Sequence, residues 1–588
     1  MSFLRRTKQY VLPFVAVMVT SGYSQSTMTV NVDGAKTVIQ KEIFGVLMER
    51  LGKQWVGGVY NTSVPNTNGM RNDVIEGFKD CGVGAAEWPG GCAADGYNWS
   101  ANKRPSADVG VDRFIQFCTL TGAEAIIAGK ATGNDAAGNF AFAQYILDSL
   151  KYPLKWFKVG NEVWGCGGNQ SVSTYMSNYA SNFAKLKDLK NDPLGKDLSI
   201  IAAAGAEEGS FGWVPTYISG MGSSIDAVEY HDYIYFPDNI SSINPTTANY
   251  WTIMNNVNVG DIHKNLYNGL FPALNSADPS KRIRLDLDEW GDWLKNTGDG
   301  WMQQITLMDA LSASSHLHMF IQNVDRLSVA CLAQAVNVIH AIININPSGV
   351  MSKTTTYYVY KLLKPHHNNG AKLAPITASN FQTVTGGGYT IPAVNAAASV
   401  DSNGIVNISF TNIDMSAERS VTVNLTSSIS SYTINSAEIV TGSAYTAYNP
   451  FGGAEQVNIK TLESSKYSIS GKILTIKLPA MSVVMIRLSP EGVAVQPGKL
   501  LNNRPDAFLI KAAVHGGLQI SSSVNMTTPV TISLYDIDGR TLIGSTTRTL
   551  AAGNNISVLD NNAMTKGVYL VKITGDNVNL TKQVVVAK

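Results

Sequence analysis

Two glutamates carry the clearest chemical signal in the chain. Glu162 closes the stretch KWFKVGNEVWG and Glu289 closes RIRLDLDEWGDW, and each follows an apolar run and precedes a Trp-Gly pair. A carboxyl in that position alone is more often a surface or salt-bridged group. Two in matching contexts, separated by the length of three strand-helix units, are different. In a parallel α/β barrel they fall at the C-terminal ends of strands four and seven, which face each other across the mouth where such folds carry their function. Convergence of two carboxyls on one bound group is what glycosidic cleavage needs, with one as acid/base and the other as nucleophile.

Other chemistries lack their residues. The chain has no G-x-x-x-x-G-K-[ST] loop and no G-x-S-x-G elbow, and the glycines of GCGG after Glu162 lack the spacing of a phosphate cradle. The eight His form no H-E-x-x-H pair, and the adjacent His366 and His367 fall in a polar turn past the barrel. No catalytic metal and no cofactor is expected. With 45 basic against 44 acidic side chains and only 15% charged residues, nothing suggests a nucleic-acid partner. Ten Trp and 24 Tyr supply flat amphipathic rings, of which some suit sugar faces and most suit a core.

The elements that must position the two glutamates are legible as textures. Residues 1–25 read as a signal peptide, with Arg5, Arg6 and Lys8 ahead of an apolar run too short to span a bilayer. Residues 26–42 hold an early strand, TMTVNVD, free to join a later sheet. From 43 to 345, short apolar runs alternate with amphipathic segments, as a (β/α)8 TIM barrel requires. From 346 to 490, period-two stretches such as GIVNISFTN and SVVMIRLS read as an antiparallel β-sandwich. A polar linker, 491–505, leads to a small C-terminal β domain, 506–588. The five Cys give neither a zinc signature nor a disulfide scaffold.

The blocks FGVLMERLG, GMRNDVIEGFKDCGV, WPGGCAADGYNW, FKVGNEVWG, LDEWGDW and LAQAVNVI together resemble glycoside hydrolase family 51, retaining (β/α)8 enzymes best known as α-L-arabinofuranosidases. The resemblance implies Glu162 as acid/base, Glu289 as nucleophile and Asn161 as donor to the sugar 2-hydroxyl. It implies sugar contacts from Glu49, His231, Tyr233 and Gln334, each of which has an ordinary structural alternative as salt bridge, packing or cap. Trp88, Trp164, Trp290 and Trp293 fall beside these positions, and one or two of them, Trp293 among them, are expected to be substrate platforms. Cys92 and Cys166 follow the second and fourth strands and could pair.

Two features depart from the family pattern. Before WPGG the family carries Arg where this chain has Glu87, and an added carboxylate there favours protonation within the cluster. Lys130, ending the next strand, is the expected compensating partner. The segment SANKRPS after Trp99 is short, which leaves room for an open cleft and endo-action. The C-terminal LYDIDGRTL, KGVYLVKI and KQVVVAK resemble a type IX secretion sorting domain, which implies export machinery as a partner and a secreted or cell-surface location; a small carbohydrate-binding module is the alternative. The expected activity is release of terminal α-L-arabinofuranose from a plant polysaccharide or oligosaccharide, arabinan or arabinoxylan. The alternatives are endo-hydrolysis of β-1,4-glucan or xylan and an inactive sugar-binding protein. Nothing in the sequence fixes an oligomeric state.

Overall fold

The computed structural model describes residues 26–491 apart from 134, 204–210, 297–299 and 380, and beyond them the strand segments between 508 and 586. The expected signal peptide, and the expected linker apart from Glu491, lie outside the described residues.

Eight parallel strands close a barrel: Gly45–Leu47, Ala85–Trp88, Glu124–Gly129, Trp156–Val159, Ser199–Ala202, Ala227–Ser241, Arg284–Lys295 and Leu327–Ala333, called strands one to eight below. The sixth and seventh pair along most of their length, and Glu289 stands in register with His231. The helices Asn72–Cys81 and Val111–Thr121 end on Gly82 and Gly122, whose φ of 81° and 80° lie in the left-handed region. There glycine pays no Cβ penalty, so the chain turns cleanly into strands two and three.

Helix Leu307–Gln322 is buried from Leu307 through Ile321. It runs between the barrel and the sandwich, which accounts for its apolar and small residues on every side. Its His318 is received by Asn395 at 2.6 Å and Ser409 at 2.8 Å, both on sandwich strands. The segment Thr355–Leu363, past the expected barrel limit of 345, is a helix that packs back on the barrel, where the Tyr360 hydroxyl donates to the Gly45 carbonyl at 3.0 Å.

The sandwich has a six-stranded and a five-stranded sheet. Ser26–Asn31 lies inside the latter, antiparallel to Ile376–Ser379 and parallel to Arg419–Thr426. The otherwise antiparallel sandwich therefore contains one parallel contact, because its strand arrives from the far side of the barrel in sequence. Residues 508–586 contribute a three-stranded and a four-stranded sheet.

Candidate active site

Glu162 follows strand four on a tight turn. Its own φ is 41°, in the left-handed region. A non-glycine residue there costs on the order of 1–3 kcal/mol and persists only where neighbours fix it. Here the Glu162 carbonyl accepts from the backbone N–H groups of Gly165 at 2.8 Å and Gly167 at 2.9 Å. Cys92 and Cys166 form a disulfide, and their sulfurs lie 3.5 and 3.3 Å from Glu162 Oε2. A disulfide sulfur carries no proton, so these are packing contacts that wedge the carboxyl in place.

Across the mouth, Glu289 accepts a 2.6 Å hydrogen bond at Oε2 from the Tyr233 hydroxyl on strand six. His231, two residues earlier, stands between the two carboxyls, with Nδ1 3.1 Å from Glu162 Oε1 and 3.6 Å from Glu289 Oε2. One donor atom from each of Glu162, His231 and Glu289 lies within 4.8 Å of the others. Retaining glycosidases hold their carboxyls about 5–5.5 Å apart and inverting ones about 6.5–9.5 Å, and an approach this close between two carboxyl oxygens is one a retaining pair makes.

The remaining candidates from the sequence join the same mouth. Glu49, past strand one, accepts from the Ala93 amide at 3.2 Å and from Gln334 Nε2 at 2.9 Å. A Cβ at Gly91 would strike the Glu49 carboxyl, so glycine is required where the second strand's loop crosses it. Asn161 is buried, and its Oδ1 accepts from Lys158 Nζ at 2.9 Å. Trp293 stands edge-on to Tyr233 and Tyr235, at centroid separations of 5.4 and 5.0 Å. Of the other tryptophans, Trp164 stands edge-on to His231 at 5.5 Å. Trp88 stacks on Phe114, and Trp290 packs on His316 and Phe320. Both are wholly buried and belong to the core.

Beneath the mouth lies a charge cluster the sequence reading missed. Lys158 on strand four meets Glu87 at 2.7 Å, Glu229 at 3.6 Å and Asp288 in a close ion pair, all fully buried. His231 Nε2 meets Glu229 at 2.8 Å and Asp288 at 3.1 Å. The expected Glu87–Lys130 pair is therefore corrected. Glu87 points into the barrel interior, where Lys158 meets it. Lys130 lies past the end of strand three, its backbone amide tied to Asn139 Oδ1 at 2.9 Å. The donor atoms of Glu229, His231 and Asp288 lie within 4.8 Å of one another, as metal ligands would. The imidazole and the Lys158 ammonium already face those carboxylates, so the donor set is matched to two organic cations.

These contacts set the charges. Burial opposes the cationic forms of Lys158 and His231, but the surrounding carboxylates outweigh it and hold both well above their ordinary values. Burial likewise opposes ionisation of Asp288, and Lys158 and His231 overcome it. Burial and the neighbouring Asp288 push Glu87 and Asp286 well above the ordinary carboxylate range, against the pull of Lys158. Glu289 is pushed up to about 8, chiefly by burial. Burial would also raise Glu162, but the hydrogen bond and charge of His231 prevail and hold it below its ordinary value.

A parallel barrel presenting two carboxyls that converge on one mouth, with polar groups from strands one, four, six and eight around them, defines a barrel glycosidase. Residues 288–482 match the α-L-arabinofuranosidase C-terminal domain and residues 514–587 the secretion system C-terminal sorting domain. An intracellular exo-α-L-arabinofuranosidase of Bacteroides ovatus is 30% identical over 520 residues, covering 81% of this chain and 98% of its own. The crystal structure of the GH51 arabinofuranosidase from Xanthomonas axonopodis pv. citri is 28% identical, with a TM-score of 0.71 over 79% of this chain and 100% of that one. CelM2, a bifunctional glucanase-xylanase from a metagenome library, shares the fold at 15% identity and a TM-score of 0.53.

The chain belongs to the family 51 α-L-arabinofuranosidases, a glycoside hydrolase family. Its sorting domain marks it as secreted or cell-surface and implies secretion machinery as a partner. Among the described residues no helix is long and apolar enough to cross a membrane.

Proposed function

We propose that the protein releases terminal α-L-arabinofuranosyl residues from arabinan or arabinoxylan with retention of configuration. The observation that carries this is the meeting of Glu162 and Glu289 on either side of His231, with one oxygen of each within 4.8 Å. Glu289 attacks the anomeric carbon while Glu162 protonates the departing oxygen. The glycosyl-enzyme ester is then hydrolysed by a water that Glu162, now a carboxylate, deprotonates. Tyr233 orients Glu289. Asn161, Glu49 and Gln334 offer hydrogen bonds to the sugar hydroxyls, and Trp293 offers a ring face at the rim.

A cavity of about 380 Å³ extends from Glu162 and His231 past Tyr235 and Trp293 to Asn256, Asp261 and Asn265. It reaches the acid/base without Glu49 or Gln334, the position expected for the leaving group, and its polar far wall suits a hydroxyl-bearing sugar there. The test is incubation with an aryl α-L-arabinofuranoside and, separately, with a soluble cellulose derivative. Release of the aryl alcohol with unchanged viscosity supports the reading. A fall in viscosity alone makes the protein an endo-glucanase, and binding without turnover makes it a sugar-binding protein.

A further inference from the structure

Lys158 stands wholly buried in the barrel floor, four residues before Glu162. Charged and titratable groups face it from every neighbouring element: Glu49 after strand one, Glu87 on strand two, Glu162 beyond its own strand, Glu229 and His231 on strand six, Asp286, Asp288 and Glu289 on strand seven, and the Cys331 thiol on strand eight. Its ammonium bonds Asn161 Oδ1 at 2.9 Å. An ammonium only donates, so this contact fixes the amide with its oxygen toward Lys158 and its NH₂ on the other side, 4.0 Å from the Cys166 sulfur that packs on Glu162.

We propose that Lys158 is a positioning residue for glycoside hydrolysis: it orients Asn161 toward the sugar and supplies, from beneath, part of the positive charge against which Glu289 ionises as nucleophile. This rests on the glycosidase reading above. One ammonium bonds Asn161 and pairs with Asp288, the residue that precedes Glu289 in strand seven, and no other lysine or arginine among the described residues forms an ion pair with Glu87, Glu229 or Asp288.

The test uses the full chain with Lys158→Met, Lys158→Gln and the exchange Glu87→Lys/Lys158→Glu, read by kcat, KM and the pH profile on an aryl α-L-arabinofuranoside. Wild-type turnover comes first; its absence sinks the arabinofuranosidase reading, separately from this role. Given wild-type turnover, Lys158→Met lowers kcat on the order of tenfold to a hundredfold, the usual worth of a charge-assisted hydrogen bond. Loss of a cation disfavours both carboxylates, so both limbs of the profile move to higher pH. The exchange variant, which returns a cation to the floor from strand two, moves the limbs back and recovers part of kcat. If the Met variant does not fold, the Gln variant, which removes the charge and keeps a hydrogen-bonding side chain, is read the same way. A folded Met or Gln variant with wild-type kcat and unmoved limbs overturns the proposal, and so does a variant that only melts earlier.

Discussion

The hydroxyl of Tyr233 donates to Oε2 of Glu289 at 2.6 Å, and through strands six and seven the two residues belong to the most extensively paired strands of the barrel. The bond fixes the rotamer of the proposed nucleophile and stabilises its anion. A hydrogen bond to a charged group is worth about 1.5–3 kcal/mol. Tyr233→Phe removes the donor and keeps the ring that meets Trp293. We expect kcat/KM on an aryl arabinofuranoside to fall roughly tenfold to a hundredfold with little change in melting temperature. A wild-type rate in this variant would show that Glu289 is held by other means.

The pH profile follows from the carboxyl pair. Burial pushes Glu289 up to about 8, and His231 holds Glu162 below its ordinary 4.5. Between those limits the pair holds one proton, which is the state the reaction uses. In the empty cleft that proton rests on Glu289, and attack requires it on Glu162. The exchange between the two arrangements scales the rate without moving the limbs. Below the lower limit both carboxyls are protonated and no nucleophile remains; above about pH 8 both are ionised and no acid remains. The expected kcat/KM profile is a bell, with its acid limb below pH 4.5 and its alkaline limb near 8. Replacing His231 by a neutral residue removes the charge that lowers Glu162 and moves the acid limb upward. A flat profile through pH 9 would contradict this assignment.

The Cys92–Cys166 bridge packs on Glu162, so it serves the site as well as the fold. Thiol titration of the unfolded, unreduced protein should count Cys81, Cys118 and Cys331, and all five cysteines after reduction. Replacing both bridge cysteines by Ser is expected to cost about 2–4 kcal/mol of stability. It should also lower kcat at temperatures where the variant remains folded, because the wedge against the Glu162 carboxyl loosens. Equal thiol counts before and after reduction would refute the bridge.

The sequence showed the two glutamates because each sits in a local pattern, an apolar strand ending on a carboxyl, and local patterns survive translation into structure. The sandwich was legible for the same reason, through its period-two strands. The partners of Glu87 were not. Adjacent strand ends suggested Lys130, but which side chain enters a barrel depends on strand tilt and register across the sheet, and these placed Lys158 inside. A readable hint was present in RLDLDEW: Leu285 and Leu287 alternate with Asp286 and Asp288, all buried. In a strand covered on both faces, charged residues in alternation must line the interior and find counter-charges there. Helix Thr355–Leu363 hid for another reason. TTYYVYKLL is rich in β-branched and aromatic residues, which suit a strand until tertiary packing decides otherwise.

The central claim is that Glu289 forms a covalent bond to the sugar and Glu162 assists its formation and release. The most direct measurement is mass spectrometry of the Glu162→Ala variant after mixing with an aryl α-L-arabinofuranoside whose leaving group needs no protonation. The account predicts that the protein gains the mass of one anhydropentose and that peptide mapping places it on Glu289. An adduct on another residue, or rapid turnover to product of inverted configuration with no adduct, would contradict it.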